Sequence, residues 1–358
     1  MKKIVFTLLA TSLLISCGKE EKKSTPVKQE DVITKSDKQL LKDAQGFFEP
    51  LEIKHKADNP VNDAKVKLGK ILYHDTRVSK EGNISCNSCH GLETFGVDNK
   101  PFSPGDTGEL GGRNSPTSFN AAGHFVQFWD GRAADVEEQA GGPVLNPVEH
   151  NIPSEKFLMD RLGKVKGYQV LFKEAFPDEA NPITFENFKK AIGSFEREEL
   201  MTPSRFDEFL KGDIKALSKK ERQGLKTFID LKCTDCHQGS NIGGSMYQRF
   251  GLIKPDYWTY TKSNAIDSGR YQETKNEDDL FMFKVPTLRN VEKTGPYFHD
   301  GSVKDLDEAI RIMGTVQLGR EIGKKNVREI KTFLSTLTQD IPEDVKQFPE
   351  ELNSEDFK

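Results

Sequence analysis

Two five-residue strings carry the most specific chemistry in this sequence. The first is Cys86-Asn87-Ser88-Cys89-His90 and the second is Cys233-Thr234-Asp235-Cys236-His237. Two thiols spaced this way, followed at once by an imidazole, suit covalent attachment of a c-type haem in an exported chain. The thiols add to the two vinyl groups of one porphyrin, and the adjacent histidine meets the iron. A thioredoxin-like C-x-x-C does not require that histidine. A zinc site built from all four thiols would leave His90 and His237 unexplained, and two disulfides are the remaining rival. The reading adopted is two covalently bound haem c. The chain has five cysteines, so only Cys17 is left over.

The surroundings of the two strings differ. After His90 a Gly/Pro-rich stretch runs from Gly91 to Gly112 without a histidine or methionine. An iron held by one imidazole, its far side open, can bind and split peroxide. That reaction needs a proton shuttle and a donor to steady the leaving oxygen. Glu149 and Gln139 are candidates, although by composition alone they read as solvated surface residues. Trp129 is by default a core residue, and His124 a packed or surface one. Around the second string, Met313 lies 76 residues past His237. A thioether there would complete a low-spin, high-potential iron, against the simpler reading that it fills the core. The one histidine near it is His299.

These groups must be positioned by helices. Leu217, Glu221, Leu225, Phe228 and Ile229 fall at helical spacing into Cys233. Val327, Ile330, Phe333, Leu334 and Leu337 repeat likewise near the C-terminus. Leu306, Ile310 and Met313 share one helical face, with Gly314 suited to the C-cap.

The chain has 358 residues, 35% hydrophobic, with a formal charge of −4. Mean hydropathy is −0.63 and the pI about 6.1. Nothing marks a nucleic-acid binder, and no internal run approaches the ~18 apolar residues of a spanning helix. The lean apolar content fits cores completed by a bulky apolar cofactor. Met1-Lys2-Lys3 and the apolar run Ile4 to Ile15 form a secretory leader. Leu14-Ile15-Ser16-Cys17-Gly18 resembles the bacterial lipobox, which makes Cys17 the lipidated residue. Cleavage would remove Lys2 and Lys3, lowering the charge by two, from −4 to −6. The polar stretch that follows should be a flexible tether. Its start, Gly18-Lys19-Glu20-Glu21, weakly resembles an acidic surface-export tag; a plain spacer is the simpler reading.

The motifs together resemble the bacterial dihaem cytochrome c peroxidase family, which includes the MauG-type enzymes. The resemblance is carried by Leu68-Gly69-Lys70-Ile71-Leu72-Tyr73, Ser85 to His90, Arg113-Asn114-Ser115-Pro116-Thr117 and Gln127-Phe128-Trp129-Asp130-Gly131-Arg132-Ala133. In the second half it continues in Asn241-Ile242-Gly243-Gly244, Leu288-Arg289-Asn290-Val291, Thr294-Gly295-Pro296-Tyr297-Phe298-His299 and Ile312-Met313-Gly314. It implies a peroxidatic N-terminal haem on His90, with Gln139 and Glu149 on its distal side. It further implies a high-potential C-terminal haem held by His237 and Met313, with Trp129 between the haems and Phe128 beside it in the site. A calcium ion is implied at the interface, on oxygens of Asn114, Thr294 and Pro296. Many members carry a loop histidine that caps the first iron; the matching residue is Asp106, 16 residues beyond His90. The first haem is therefore expected to be open, or water-bound, when oxidised.

The expected fold is mainly α, with two cytochrome c-like helical domains, each around one covalent haem c, and long irregular loops. The expected boundaries are a leader at 1–16, lipidated Cys17 and tether at 17–37, a peroxidatic domain at 38–205, an electron-accepting domain at 206–345 and a polar tail at 346–358. The expected activity is reduction of hydrogen peroxide to water. Electrons would enter at the His237/Met313 haem from a small cytochrome c or cupredoxin. The alternatives are a MauG-like protein-oxidising enzyme, in which a tyrosine tends to replace the thioether, and a non-catalytic dihaem electron carrier. The expected location is periplasmic, with membrane contact only through the lipid, and relatives of this kind are often homodimers.

Overall fold

A computed structural model describes residue 1, residues 32–53 and residues 55–358. The leader, Cys17, the export tag and most of the tether lie outside the described residues. Among the described residues no helix is long and apolar enough to cross a membrane.

The chain is mainly helical, as expected. In order, the helices are α1 (Lys35–Gln45), α2 (Asp63–His74), α3 (Cys86–Cys89), α4 (Val136–Leu145), α5 (Glu155–Leu162), α6 (Lys166–Ala175) and α7 (Phe185–Glu198). They continue with α8 (Arg205–Leu210), α9 (Lys219–Asp230), α10 (Tyr257–Thr261), α11 (Tyr271–Thr274), α12 (Leu306–Val316), α13 (Lys324–Leu334) and α14 (Glu343–Lys346). The sheet is one short antiparallel pair, β1 (Tyr247–Arg249) and β2 (Met282–Lys284), with Gln248 opposite Phe283. The long loops between these elements are also as expected.

Two apolar cores are built on closely crossed helix pairs. In the first, Leu68, Ile71 and Leu72 of α2 meet Phe188, Ala191 and Ile192 of α7. The crossing is tight because a β-carbon at Gly69 would lie 2.0 Å from the Ala191 carbonyl oxygen. In the second, Leu225 and Phe228 of α9 pack with Val327, Ile330, Phe333 and Leu334 of α13. There a β-carbon at Gly224 would fall 2.1 Å from the Glu329 carbonyl oxygen. The apolar spacing read from the sequence is thus the core face of both α9 and α13. Glu221 is not part of that face: it closes a capping box with Ser218 and pairs with Arg205.

Three sequence expectations need correction. Gly314 does not cap α12, which runs on to Val316 with Gln317 as its cap. Its lack of a side chain serves packing instead, since a β-carbon would lie 2.4 Å from Ile322. Next, the tether ends early, because Thr34 and Asp37 form a capping box that starts α1 at Lys35. This helix then joins the second core rather than the first: Ala44 and Phe48 pack with Phe206, Phe209 and Phe228. Arg222 donates to Asp37, and Gln45 to the Leu210 carbonyl. The tail, finally, is not a loose polar end. Phe357 enters the first core against Tyr168, and just before the tail Ile341 and Val345, expected in the second domain, pack with Tyr73 and Leu92. The chain ends therefore cross over, each packing on the core farther away in sequence.

Phe357 is 3% exposed. Phe357→Ala should lower stability by about 3–5 kcal/mol, the usual cost of emptying a buried aromatic site. Denaturant unfolding of the haem-loaded protein measures this, and an unchanged midpoint would show that the tail is not part of the fold.

Candidate haem sites and the seam between them

The first string is preceded by Ser85, whose N–H donates to the Ser88 hydroxyl and so opens the single turn of α3. His90 follows directly, half-buried. Its Nδ1 lies 2.9 Å from the Pro116 carbonyl oxygen and 3.3 Å from that of Gly96. That bond fixes the tautomer and leaves Nε2 free, the arrangement needed for an iron ligand. His237 repeats it, with Nδ1 3.3 Å from the Ile242 carbonyl. Burial lowers the pKa of both imidazoles, that of His237 to about 4, so each presents a neutral ring.

All four cysteines are free thiols. Cys86 packs on the first core and Cys233 on the second, so the four sulfurs are not gathered into one zinc site. Burial pushes Cys86 and Cys233 up to about 12, keeping them protonated. Neutral, separately housed C-x-x-C pairs beside oriented imidazoles suit thioether attachment of porphyrin. The residues fit the cofactor in size as well. Cys86, Cys89 and His90 line a cavity of 830 Å³, within the range of sites that enclose a large ligand.

Gln139, Glu149, Phe128 and Trp129 line that same cavity. Gln139 sits on α4, which Glu137 ties to α7 through a buried ion pair with Arg197 at 2.7 Å. Glu149 is half-buried, and the Asn146 amide donates to its Oε1 at 2.8 Å. Burial raises its pKa; the nearby Arg132 charge and the Asn146 hydrogen bond pull the other way. Arg132 stands over the Phe128 ring, 3.5 Å from its centroid, and pairs with Asp130 at 2.9 Å. Sequence reasoning assigned no role to Arg132, Asn146 or His150. The first lay inside a quoted motif, and the other two adjoin Glu149. His150 is buried in the wall of the same cavity with Nδ1 3.1 Å from the Val78 carbonyl, and burial lowers it to about 4.

Asp106 is turned to structural use. Its carboxylate accepts the Glu81 N–H at 3.0 Å, and its own N–H donates to the Glu149 carbonyl at 2.7 Å. The loop is clamped there, because a β-carbon at Gly105 would lie 1.9 Å from the Val148 carbonyl oxygen. His124 is a packed residue, with Nδ1 3.1 Å from Lys284 Nζ.

Trp129 belongs to the seam. Its indole N–H donates to the Asn114 carbonyl at 2.9 Å, while its own carbonyl accepts the Lys284 N–H of β2 at 2.8 Å. Arg113 reinforces the contact by binding Asp267 at 2.7 Å and Asp130 at 2.5 Å. Met313 is half-buried on α12 and packs, like Trp129, against the cluster of Phe250, Tyr257 and Phe283. Asn114 N–H donates to the His299 carbonyl at 2.7 Å, and the Asn99 amide to that of Gly295 at 2.8 Å. These bonds draw the Asn114 segment and the loop of Thr294 and Pro296 towards the seam from either end. Among the described residues no cluster of three or more His, Cys, Asp or Glu is placed to hold a metal.

A fold of two helical cores, each presenting a C-x-x-C-H string with an oriented imidazole, defines a dihaem c-type protein. The family model of di-haem cytochrome c peroxidases matches residues 63–215. The chain is 40% identical to cytochrome c551 peroxidase of Pseudomonas aeruginosa, over 88% of this chain and 89% of that one. It is 44% identical to cytochrome c551 peroxidase of Nitrosomonas europaea, over 80% and 84%. A solved structure of a MauG-like protein associated with microbial copper homeostasis superposes with a TM-score of 0.74 at 26% identity, covering 85% of this chain and 97% of that one. The chain belongs to the di-haem cytochrome c peroxidase family, and two haem c are its cofactors.

With Asp106 committed to the Glu81 N–H, the loop offers the first iron no ligand. EPR of the oxidised protein should show an open or water-bound first haem; a bis-histidine signal there would contradict this.

Proposed function

We propose that the protein reduces hydrogen peroxide to water, H2O2 + 2 e− + 2 H+ → 2 H2O. Family membership supports an oxidoreductase acting on peroxide. The observation that carries the reading is the placing of Glu149 and Gln139 in one cavity wall with His90. When bound there, haem supplies an iron that holds the oxidant.

The protein's own groups then divide the work. His90, its Nδ1 anchored, keeps Nε2 aimed as the iron's ligand. Glu149, with Oε1 held by Asn146, takes the proton from the near peroxide oxygen and returns it to the far one. The Gln139 amide donates to the leaving oxygen. Phe128 and Arg132 close the wall beside them. Electrons would come from a small cytochrome c or cupredoxin docking near the second string, where His237 and Met313 would hold the second haem. They cross by Trp129, which shares an aromatic cluster with Met313. A calcium ion on oxygens of Asn114, Thr294 and Pro296 would stiffen this seam. We also infer export to the periplasm, anchorage through lipidated Cys17 and a homodimeric state. Met313, where the MauG branch tends to use tyrosine, favours peroxidase over protein oxidation.

Glu149→Gln should reduce peroxide turnover by about 10²–10⁴-fold with both haems attached. The shuttle must start as carboxylate, so wild-type activity should rise with pH through the raised pKa of Glu149, and the glutamine variant should lose that limb. Full activity in the variant would put the shuttle elsewhere. Met313→Ala should lower the potential of the second haem in a redox titration and slow electron entry. An unchanged potential would strike Met313 from the ligands.

A further inference from the structure

The sequence contains two tryptophans, and one file of touching rings joins them. Trp129 meets His299 edge-to-face with centroids 6.3 Å apart. His299 meets Tyr257 in the same way at 5.6 Å, and Tyr257 meets Trp258 at 5.3 Å. Trp129 and His299 both line the haem cavity, whereas the far end of the file reaches solvent. Tyr257 is fully buried, Trp258 half-buried, and Tyr260 one turn on is 38% exposed.

We propose that this file is a second outlet for oxidising equivalents, running from Trp129 past His299 and Tyr257 to a surface site at Trp258, where small phenols are oxidised by one electron. It rests on the peroxide-reducing reading above and adds a substrate class to it. Tyrosine and tryptophan are the side chains that give up one electron most readily, and the file has one at each step except the bridging imidazole. Around it Phe250, Phe281 and Phe283 pack closely and exclude water, so a transient radical on Tyr257 is shielded.

The proton of Tyr257 is provided for. Its hydroxyl donates to the Asp267 carbonyl at 3.0 Å and stands 3.5 Å from His299 Nε2. When Tyr257 yields an electron to oxidised Trp129, its proton passes to that nitrogen. It returns when Trp258 refills Tyr257. A phenol at the surface then refills Trp258, losing one electron and its proton. For each peroxide two phenols react, H2O2 + 2 ArOH → 2 H2O + 2 ArO•, and peroxide is the oxidant throughout.

The test uses the haem-loaded full chain with hydrogen peroxide, first with the nitrone spin trap DMPO and no electron donor, then with guaiacol. Peptide mass spectrometry of the wild type should find the adduct on Trp258 or Tyr260. Tyr257→Phe keeps the ring packing but removes the oxidisable hydroxyl. It should cut that adduct and guaiacol oxidation about tenfold or more, with cytochrome-supported peroxide turnover within about twofold of wild type. Trp258→Phe should lose guaiacol oxidation to a similar degree. Normal cytochrome-supported turnover without an adduct at either residue, or with an adduct and guaiacol rate untouched by Tyr257→Phe, overturns the outlet alone. Failure of the wild type to reduce peroxide with any reduced donor overturns the peroxidase reading, and the outlet with it.

Discussion

Everything in this molecule depends on two imidazoles that cannot turn. In each C-x-x-C-H string the backbone carbonyl of a following loop takes the Nδ1 hydrogen bond, Pro116 for His90 and Ile242 for His237. One nitrogen is thereby spent on the fold and the other is left free, as a ligand to haem iron requires. Burial holds both rings neutral, so neither is lost to protonation near physiological pH. The loops that supply these carbonyls also lead into the seam: Pro116 follows Arg113 and Asn114, and Ile242 precedes β1. The orientation of the two imidazoles and the contact between the two cores are thus set by the same stretches of chain.

The crossing of the chain ends gives the seam its rigidity. α1 and the residues after it pack on the second core, and the segment from Ile341 to Phe357 packs on the first. Separating the two haem regions would therefore expose apolar surface at both ends as well as at the seam. A buried pair ties the N-terminal segment into the second core: Arg289 grips Asp207 through two hydrogen bonds of 2.8 and 2.7 Å, both side chains fully out of solvent. Asp207 also accepts the Leu51 N–H at 2.7 Å, so one carboxylate links α8, the Leu288-Arg289-Asn290 motif and the linker after α1. Removing one partner of such a pair strands a buried charge at a cost of about 3–5 kcal/mol.

The contrast between Asp106 and a ligating histidine shows how one residue type redirects a loop. A carboxylate accepts hydrogen bonds, and this one takes the Glu81 N–H while its backbone holds Glu149. The loop becomes a brace for the Glu149 backbone. Arg132 acts on the same group from the other side, offsetting with its charge part of what burial adds to the Glu149 pKa.

Local pattern determined much of this protein. The two C-x-x-C-H strings specify their cofactor by covalent spacing alone, and the apolar periods of α9 and α13 are the faces those helices bury. The motif strings pointed to Glu149, Gln139 and Trp129, and the fold brings all three to one cavity. Tertiary structure decided what depends on distant partners. Phe357 looks like part of a polar tail until Tyr168 is beside it, and Gly314 looks like a helix stop until Ile322 needs its space. The file from Trp129 to Trp258 likewise has no period or spacing, because its rings come from three separate segments. Spacing along a chain encodes contacts a turn or two away, whereas contacts between far segments arise only when the whole chain has closed.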